Sequence, residues 1–326
     1  MNSQAQHILE LRDVSISYGA KEAVRNLSLS VRQGEVIGLV GESGSGKSTV
    51  LRAIAGLLGQ SKASQKGSLI YKGTDLTELS YKKRAALCGA ELAYVFQDPV
   101  ASLDPLYTIK NQFDECIRAH RNLTKEALHA LEVQLLYEMG LDNPEHVLQC
   151  LPQQLSGGMC QRVVLAFCLA CDPCVLLADE PTSALDVAAQ AQVLSVLKRI
   201  HEERNLAMIV VSHNMGVIAE MADYVGVMYH GTLVETGTVQ EVLATPAHPY
   251  TKNLIQAIPK ADGTLPLVPQ TLNHSQLQET ICSYAQRCAF YSDKTCSTLS
   301  KMTHLSNTHQ AFCTKADCLV RQKQGE

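Results

Sequence analysis

The chain has 326 residues, enough for two domains or for one large domain with an appendage. Hydrophobic residues make up 46% and charged residues 18%, which excludes a disordered chain; the formal net charge of -4, from 28 Lys plus Arg against 32 Asp plus Glu, argues against coating nucleic acid. Twelve cysteines are far too few for a disulfide-stapled mini-protein. Met1–Gln6 is polar without an apolar signal core, and no stretch approaches the ~20 uninterrupted apolar residues of a membrane span. A cytosolic chain with reduced thiols and no span of its own is expected.

In chain order, the first third alternates short strands and turns. Leu27, Leu29 and Val31 alternate as a half-buried strand does, and Val36–Val40 is an apolar run suited to a strand covered on both faces. Glycines follow, then a helical pattern through Leu51, Ile54 and Leu58. Thr108 to Met139 is predicted helical, with Leu128, Leu131, Leu135 and Met139 on one stripe. Val175–Ala178 is a predicted buried strand and Ala188–Arg204 a helix. Met208–Val211 is another strand, and Tyr224–Val234 a strand pair turning at Gly231. Pro259, Gly263, Pro266 and Pro269 mark 259–273 as a linker, and a cysteine-rich tail follows.

Gly41-Glu42-Ser43-Gly44-Ser45-Gly46-Lys47-Ser48 matches G-x-x-x-x-G-K-[ST] in full, between a predicted strand and a predicted helix. Glycines let backbone N–H groups turn inward on phosphates, and the helix start adds its positive dipole end. Lys47 is placed to neutralise the β- and γ-phosphates and Ser48 to bind Mg²⁺. Asp179 and Glu180 end the Val175 strand: the first suits Mg²⁺, the second a general base on water. Leu155-Ser156-Gly157-Gly158-Met159 precedes a helical pattern and is a second anion-binding loop. Taken singly, the paired acids could merely cap the next helix and Ser156 could be an ordinary N-cap. Two such loops make sense together if one serves its own nucleotide and the other a nucleotide held by a second subunit.

With these motifs in hand, the chain resembles the nucleotide-binding subunit of an ABC transporter over residues 8–258. The ordered set is the phosphate loop, Gln97 in Val95-Phe96-Gln97-Asp98-Pro99, the Leu155–Met159 signature, Asp179-Glu180, Ser183-Ala184-Leu185-Asp186, and His213. The resemblance implies an α/β fold: a P-loop NTPase ABC cassette over 1–258, with a RecA-like core and an α-helical subdomain at 100–172. A linker and small Cys-rich C-terminal extension fill 259–326. It further implies that Tyr18 stacks on adenine and that Gly41, Ser43, Gly44, Ser45, Gly46, Lys47, Ser48 and Thr49 hold phosphates. Ser48, Gln97 and Asp179 would bind Mg²⁺, with Glu180 and His213 catalytic. Asp186 would sit at a dimer seam, and Ser156, Gly157 and Gly158 would complete the partner's ATP site.

Met159 after the glycines, and His248-Pro249-Tyr250-Thr251 with Leu254 and Ile258-Pro259, resemble the oligopeptide and dipeptide importer branch; Cys160 stands where that branch usually has Arg. The tail reads Cys282-x5-Cys288-x7-Cys296-x16-Cys313, with Cys318 beyond. In the resembled subunits an Arg-Cys pair marks the second cysteine, as in Arg287-Cys288, and a His precedes the last ligand, as His309 precedes Cys313. The resemblance implies a [4Fe-4S] cluster on Cys282, Cys288, Cys296 and Cys313. Four thiolates equally suit Zn²⁺, free or structural thiols are the third reading, and ligand chemistry does not separate them. Gln270 replaces an expected Gly, and prolines usual between these cysteines are missing. Cys168, Cys171 and Cys174 read as small core or surface residues.

The function implied is an ATPase of a di- and oligopeptide importer, peripheral at the cytoplasmic face of the bacterial inner membrane. Its partners would be a second ABC ATPase subunit in a heterodimer, two transmembrane permease subunits and a solute-binding protein; no nucleic acid is expected. Nickel and metal-chelate importers share parts of the tail. Soluble ABC proteins of translation or DNA repair fit less well, because the chain has one cassette and no long heptad run.

Overall fold

A computed structural model describes residues 7–59, 63–183, 185–258, 282–292, 296, 302–316 and 320. The linker at 259–273, with Gln270, and also Ala184 and Cys318, lie outside the described residues. Strands β1 (His7–Tyr18), β2 (Lys21–Arg32) and β3 (Val36–Val40) lead into helix α1 (Lys47–Ile54). Next come β4 (Ala63–Tyr71), β5 (Thr74–Asp75), α2 (Tyr81–Leu87) and β6 (Leu92–Val95). Helices α3 (Ile109–Arg118), α4 (Lys125–Glu138), α5 (Pro144–Gln149) and α6 (Gly157–Leu169) form a helical stretch. The second β/α run is β7 (Val175–Asp179), α7 (Val187–Arg204), β8 (Ala207–Ser212), α8 (Met215–Met221), β9 (Tyr224–Tyr229) and β10 (Thr232–Thr238). It closes with α9 (Val239–Ala244), α10 (Pro249–Gln256) and the tail strands β11 (Thr303–His304) and β12 (Gln310–Ala311).

Two sheets result. A small antiparallel one runs β2-β1-β4-β5; the main one runs β11-β12-β10-β9-β3-β8-β7-β6. In the main sheet β9, β3, β8, β7 and β6 are parallel. Their apolar composition follows from cover on both faces: every residue of β3, β7 and β8 is buried. One core cluster joins the small sheet and α1 to one face of the main sheet. The other packs the helical stretch, α7 and α8 against the opposite face.

Two expectations need correction. The single helical region from Thr108 to Met139 is two helices, because Thr124 caps α4 by accepting from the Ala127 N–H at 3.3 Å. The intervening turn is fixed by Arg121 donating to the Ala170 carbonyl at 2.7 Å. Helix α1 stops at Ile54, short of Leu58, where Gly56 takes the left-handed φ of 71° that ends helices.

The described tail segments pack onto the cassette. β12 extends the main sheet, pairing antiparallel with β10 at Glu235↔Ala311 and Thr236↔Gln310. Beside this seam Glu235 is fully buried and accepts three hydrogen bonds at 2.8 Å, from the Ala247 and His248 N–H groups and from His309 Nε2. His248 caps α10 by accepting from the Tyr250 N–H at 3.1 Å, with Pro249 at the first helical position. Burial pushes its imidazole down to about 3, which keeps it neutral for that role. Among the described residues no helix is long and apolar enough to cross a membrane.

Candidate functional site

The parallel strands deliver four loops to one edge of the main sheet: β3 leads to the phosphate loop, β6 to Gln97, β7 to Asp179-Glu180 and β8 to His213. Ligands of open α/β sheets bind outside the carboxyl ends of their strands. There, Tyr18, Ser43, Gly44, Gly46, Lys47, Ser48, Thr49, Gln97 and Glu180 line an open cleft of about 610 Å³. Gly41 and Ser45 complete the loop, and Ser45 is buried.

The loop requires its glycines. Gly46 caps α1 at φ 103°, and a Cβ there would lie 2.5 Å from the Ala23 carbonyl oxygen. A Cβ on Gly41 would lie 2.1 Å from the Met228 carbonyl oxygen. Lys47 Nζ donates to the Gly41 and Glu42 carbonyls at 2.8 and 2.9 Å, which folds the loop around its own ammonium group. Burial lowers the Lys47 pKa, against the pull of Glu180, Asp179 and Glu42.

The carboxylates occupy distinct environments. Asp179 is buried and accepts from Ser48 Oγ at 2.8 Å and from Tyr94 Oη at 2.9 Å, so two oxygen donors suited to Mg²⁺ stand side by side. Glu180 follows with a left-handed φ of 50°, costly for a non-glycine residue, and its N–H is tied to the Val211 carbonyl at 3.0 Å. That turn sends its carboxylate toward the cleft, where Oε2 accepts from Gln97 Nε2 at 3.1 Å and meets His213 Nδ1 at 3.2 Å. Gln97, Glu180 and His213 are therefore one hydrogen-bonded group.

The signature lies elsewhere. Ser156 caps α6 by accepting from the Met159 N–H at 3.3 Å, and Gly157 and Gly158 form the helix's first turn. None of the three lines the phosphate-loop cleft. Gly157 and Gly158 adjoin Leu185 and Ala189, and between these Asp186 caps α7 by accepting from the Ala189 N–H at 2.9 Å. Cys160, in the place of the usual Arg, is fully buried.

The four tail cysteines Cys282, Cys288, Cys296 and Cys313 line one apolar cavity of about 20 Å³ with Phe290 and Phe312. Burial, and then the neighbouring thiols, pushes Cys282 up to about 11 and Cys313 up to about 12. Among the described residues no three His, Cys, Asp or Glu side chains are arranged as a metal site. Sequence reasoning did not place Tyr94 against Asp179, or Tyr250 and Arg287 against Glu42 of the phosphate loop. Tyr250 carried a signal, lying in the His-Pro-Tyr motif, and its Oη accepts from the Glu42 N–H at 2.9 Å.

Fold and cleft define a P-loop NTPase of the ATP-binding-cassette class. A profile for ABC transporters matches residues 24–183, and one for the oligopeptide/dipeptide transporter C-terminal region matches residues 234–296. The chain is 37% identical to the dipeptide transport ATP-binding protein DppD of Escherichia coli (strain K12), over 94% of this chain and 96% of that protein. It is 42% identical to the oligopeptide transport ATP-binding protein AmiE of Streptococcus pneumoniae serotype 4, over 83% and 79%. Among solved structures, a dimeric ATP-binding cassette in a post-hydrolysis state with ADP and Pi matches with a TM-score of 0.64 at 27% identity, over 71% and 98%. The chain belongs to the ABC transporter family, with the oligopeptide and dipeptide transport ATP-binding proteins, and is an ATPase.

Proposed function

We propose that this chain is the ATP-hydrolysing subunit of an importer for di- and oligopeptides. It would work at the cytoplasmic face of the inner membrane with a second ATPase subunit, two permease subunits and a solute-binding protein. The division of the site carries the proposal: the phosphate-loop cleft and the Leu155–Met159 signature occupy different parts of one chain. A closed site then needs the loop of one cassette and the signature of another. Relatives named for dipeptide and oligopeptide transport support the cargo.

Within the closed site Tyr18 stacks on adenine, and Lys47 with the N–H groups of 41–49 holds the phosphates. Ser48, Asp179 and Gln97 would hold Mg²⁺, which would supply positive charge against the phosphates. Glu180 takes the proton of the attacking water, and His213 bonds the γ-phosphate. The partner's Ser156, Gly157 and Gly158 close over the same phosphates, with Asp186 at the seam. Closure on ATP and reopening after hydrolysis would rock the permease subunits.

For the tail, four thiols line one small cavity, which supports a thiophilic metal group in donor chemistry only, because among the described residues they are not drawn together as a metal site and His309 is already committed to Glu235. We propose that Cys282, Cys288, Cys296 and Cys313 would hold a [4Fe-4S] cluster, with Zn²⁺ the alternative; either group would tie the described tail segments to one another. Anaerobic purification decides: a brown protein with four iron and four sulfide per chain supports the cluster, a colourless one with stoichiometric zinc replaces it, and a colourless one without metal leaves the thiols free or structural and overturns both. For the whole reading, proteoliposomes containing the complex should take up a labelled dipeptide only with ATP. Nickel uptake without peptide uptake would overturn the cargo.

A further inference from the structure

The phosphate loop carries a carboxylate that meets the tail. The Glu42 N–H is held by Tyr250 and its carbonyl by Lys47, while its carboxylate accepts from Arg287 Nη1 at 3.0 and 3.1 Å. Arg287 ends the short turn Ala285–Arg287, next to Cys288. Its guanidinium lies over the rings of Tyr229 and Tyr284, 5.8 and 5.7 Å from their centroids. The Tyr284 ring is held by Asn253 Nδ2, which donates to its Oη at 2.6 Å, and Arg287 Nη1 itself donates to Tyr229 Oη at 3.4 Å. Two aromatic faces thus aim one tail arginine at the second residue of the phosphate loop.

We propose that Arg287 is a positioning residue of the ATP site: it holds Glu42 in place and neutralises a carboxylate that would otherwise repel the triphosphate. Both side chains are about two-fifths exposed (40% and 42%), so the ion pair adds little to folding. Its effect falls on the ligand: Glu42 does not line the cleft, but its carbonyl accepts from Lys47 Nζ at 2.9 Å, so a polyanion bound at Lys47 would feel an unpaired Glu42 through a partly screened field. ATP affinity therefore depends on the 282–292 segment being docked, and on whatever orders Cys282 and Cys288.

The test uses the full chain and MgATP. Arg287→Ala should weaken binding about threefold to fivefold, with the loss in KM rather than kcat, and Arg287→Lys should recover most of it. Adding Glu42→Gln to Arg287→Ala should restore affinity to within about twofold, because the repelling charge is gone. A merely structural strap would leave the double variant as weak as the single one. That result, or wild-type affinity in Arg287→Ala, overturns the proposal. The inference rests on the ATP-site assignment, which Lys47→Ala tests separately: intact nucleotide binding there sinks the assignment. Lost binding there with an unaffected Arg287→Ala sinks this inference only.

Discussion

Glu235→Ala removes the acceptor on which the tail seam converges. The carboxylate is fully buried and serves the Ala247 N–H, the His248 N–H and His309 Nε2, each at 2.8 Å. Alanine would orphan all three donors, and each costs roughly 1–3 kcal/mol when left unpaired in the interior. Water entering the vacated space recovers part of this, so a net loss of about 4 kcal/mol is expected. Glu235→Gln keeps the volume but sets an amide donor against donors, and about 2 kcal/mol should be lost. Urea denaturation at constant slope measures both, and limited proteolysis should cut within 302–316 first in the alanine variant. A loss below about 1 kcal/mol in Glu235→Ala would refute the reasoning, since the donors would then have found other partners.

Three further outcomes follow from the geometry. Glu180→Gln keeps the contacts to Gln97 and His213 but cannot take a proton; turnover should fall at least about 100-fold while MgATP stays bound, and rapid steady turnover would remove the general-base role. Gly38→Ala would put a Cβ 2.2 Å from Ile218 Cγ2 and should cost about 1–3 kcal/mol. Adding Ile218→Ala should cost less than the two losses summed, as a denaturation cycle would show. At Glu241 burial opposes the charge, but hydrogen bonds from Ser306, Thr238 and Thr308 outweigh it and hold the carboxyl at about 2, below its ordinary 4.5. A depressed native pKa gives stability that is present above 4.5 and lost as pH falls toward 2. Glu241→Gln should therefore flatten the stability profile in that window.

The legible parts of the site were those built from neighbours in sequence. Eight consecutive residues make the phosphate loop, and the strands β3, β7 and β8 betray their burial through unbroken apolar runs. Ser156 reads as an N-cap from its place before two glycines, and it caps α6. Tyr94 was illegible because its hydroxyl meets Asp179 only once β6 lies beside β7, and the strand's own sequence shows a tyrosine without its partner. The split between α3 and α4 is not visible in the stripe of Leu128, Leu131, Leu135 and Met139, because all four lie in α4 or at its C-cap.

The sequence by itself determined which chemistry this chain carries: a phosphate cradle, two carboxylates, a second anion loop and a set of thiols at fixed spacings. Backbone turns and strand burial are local consequences of side-chain size and polarity, so motifs record them. Only the tertiary structure decided how distant segments meet. It placed the signature outside the chain's own cleft, committed His309 to Glu235, and brought Arg287 to Glu42 across 245 residues. Such contacts depend on sheet order and on which aromatic faces pack together, and no local periodicity encodes either.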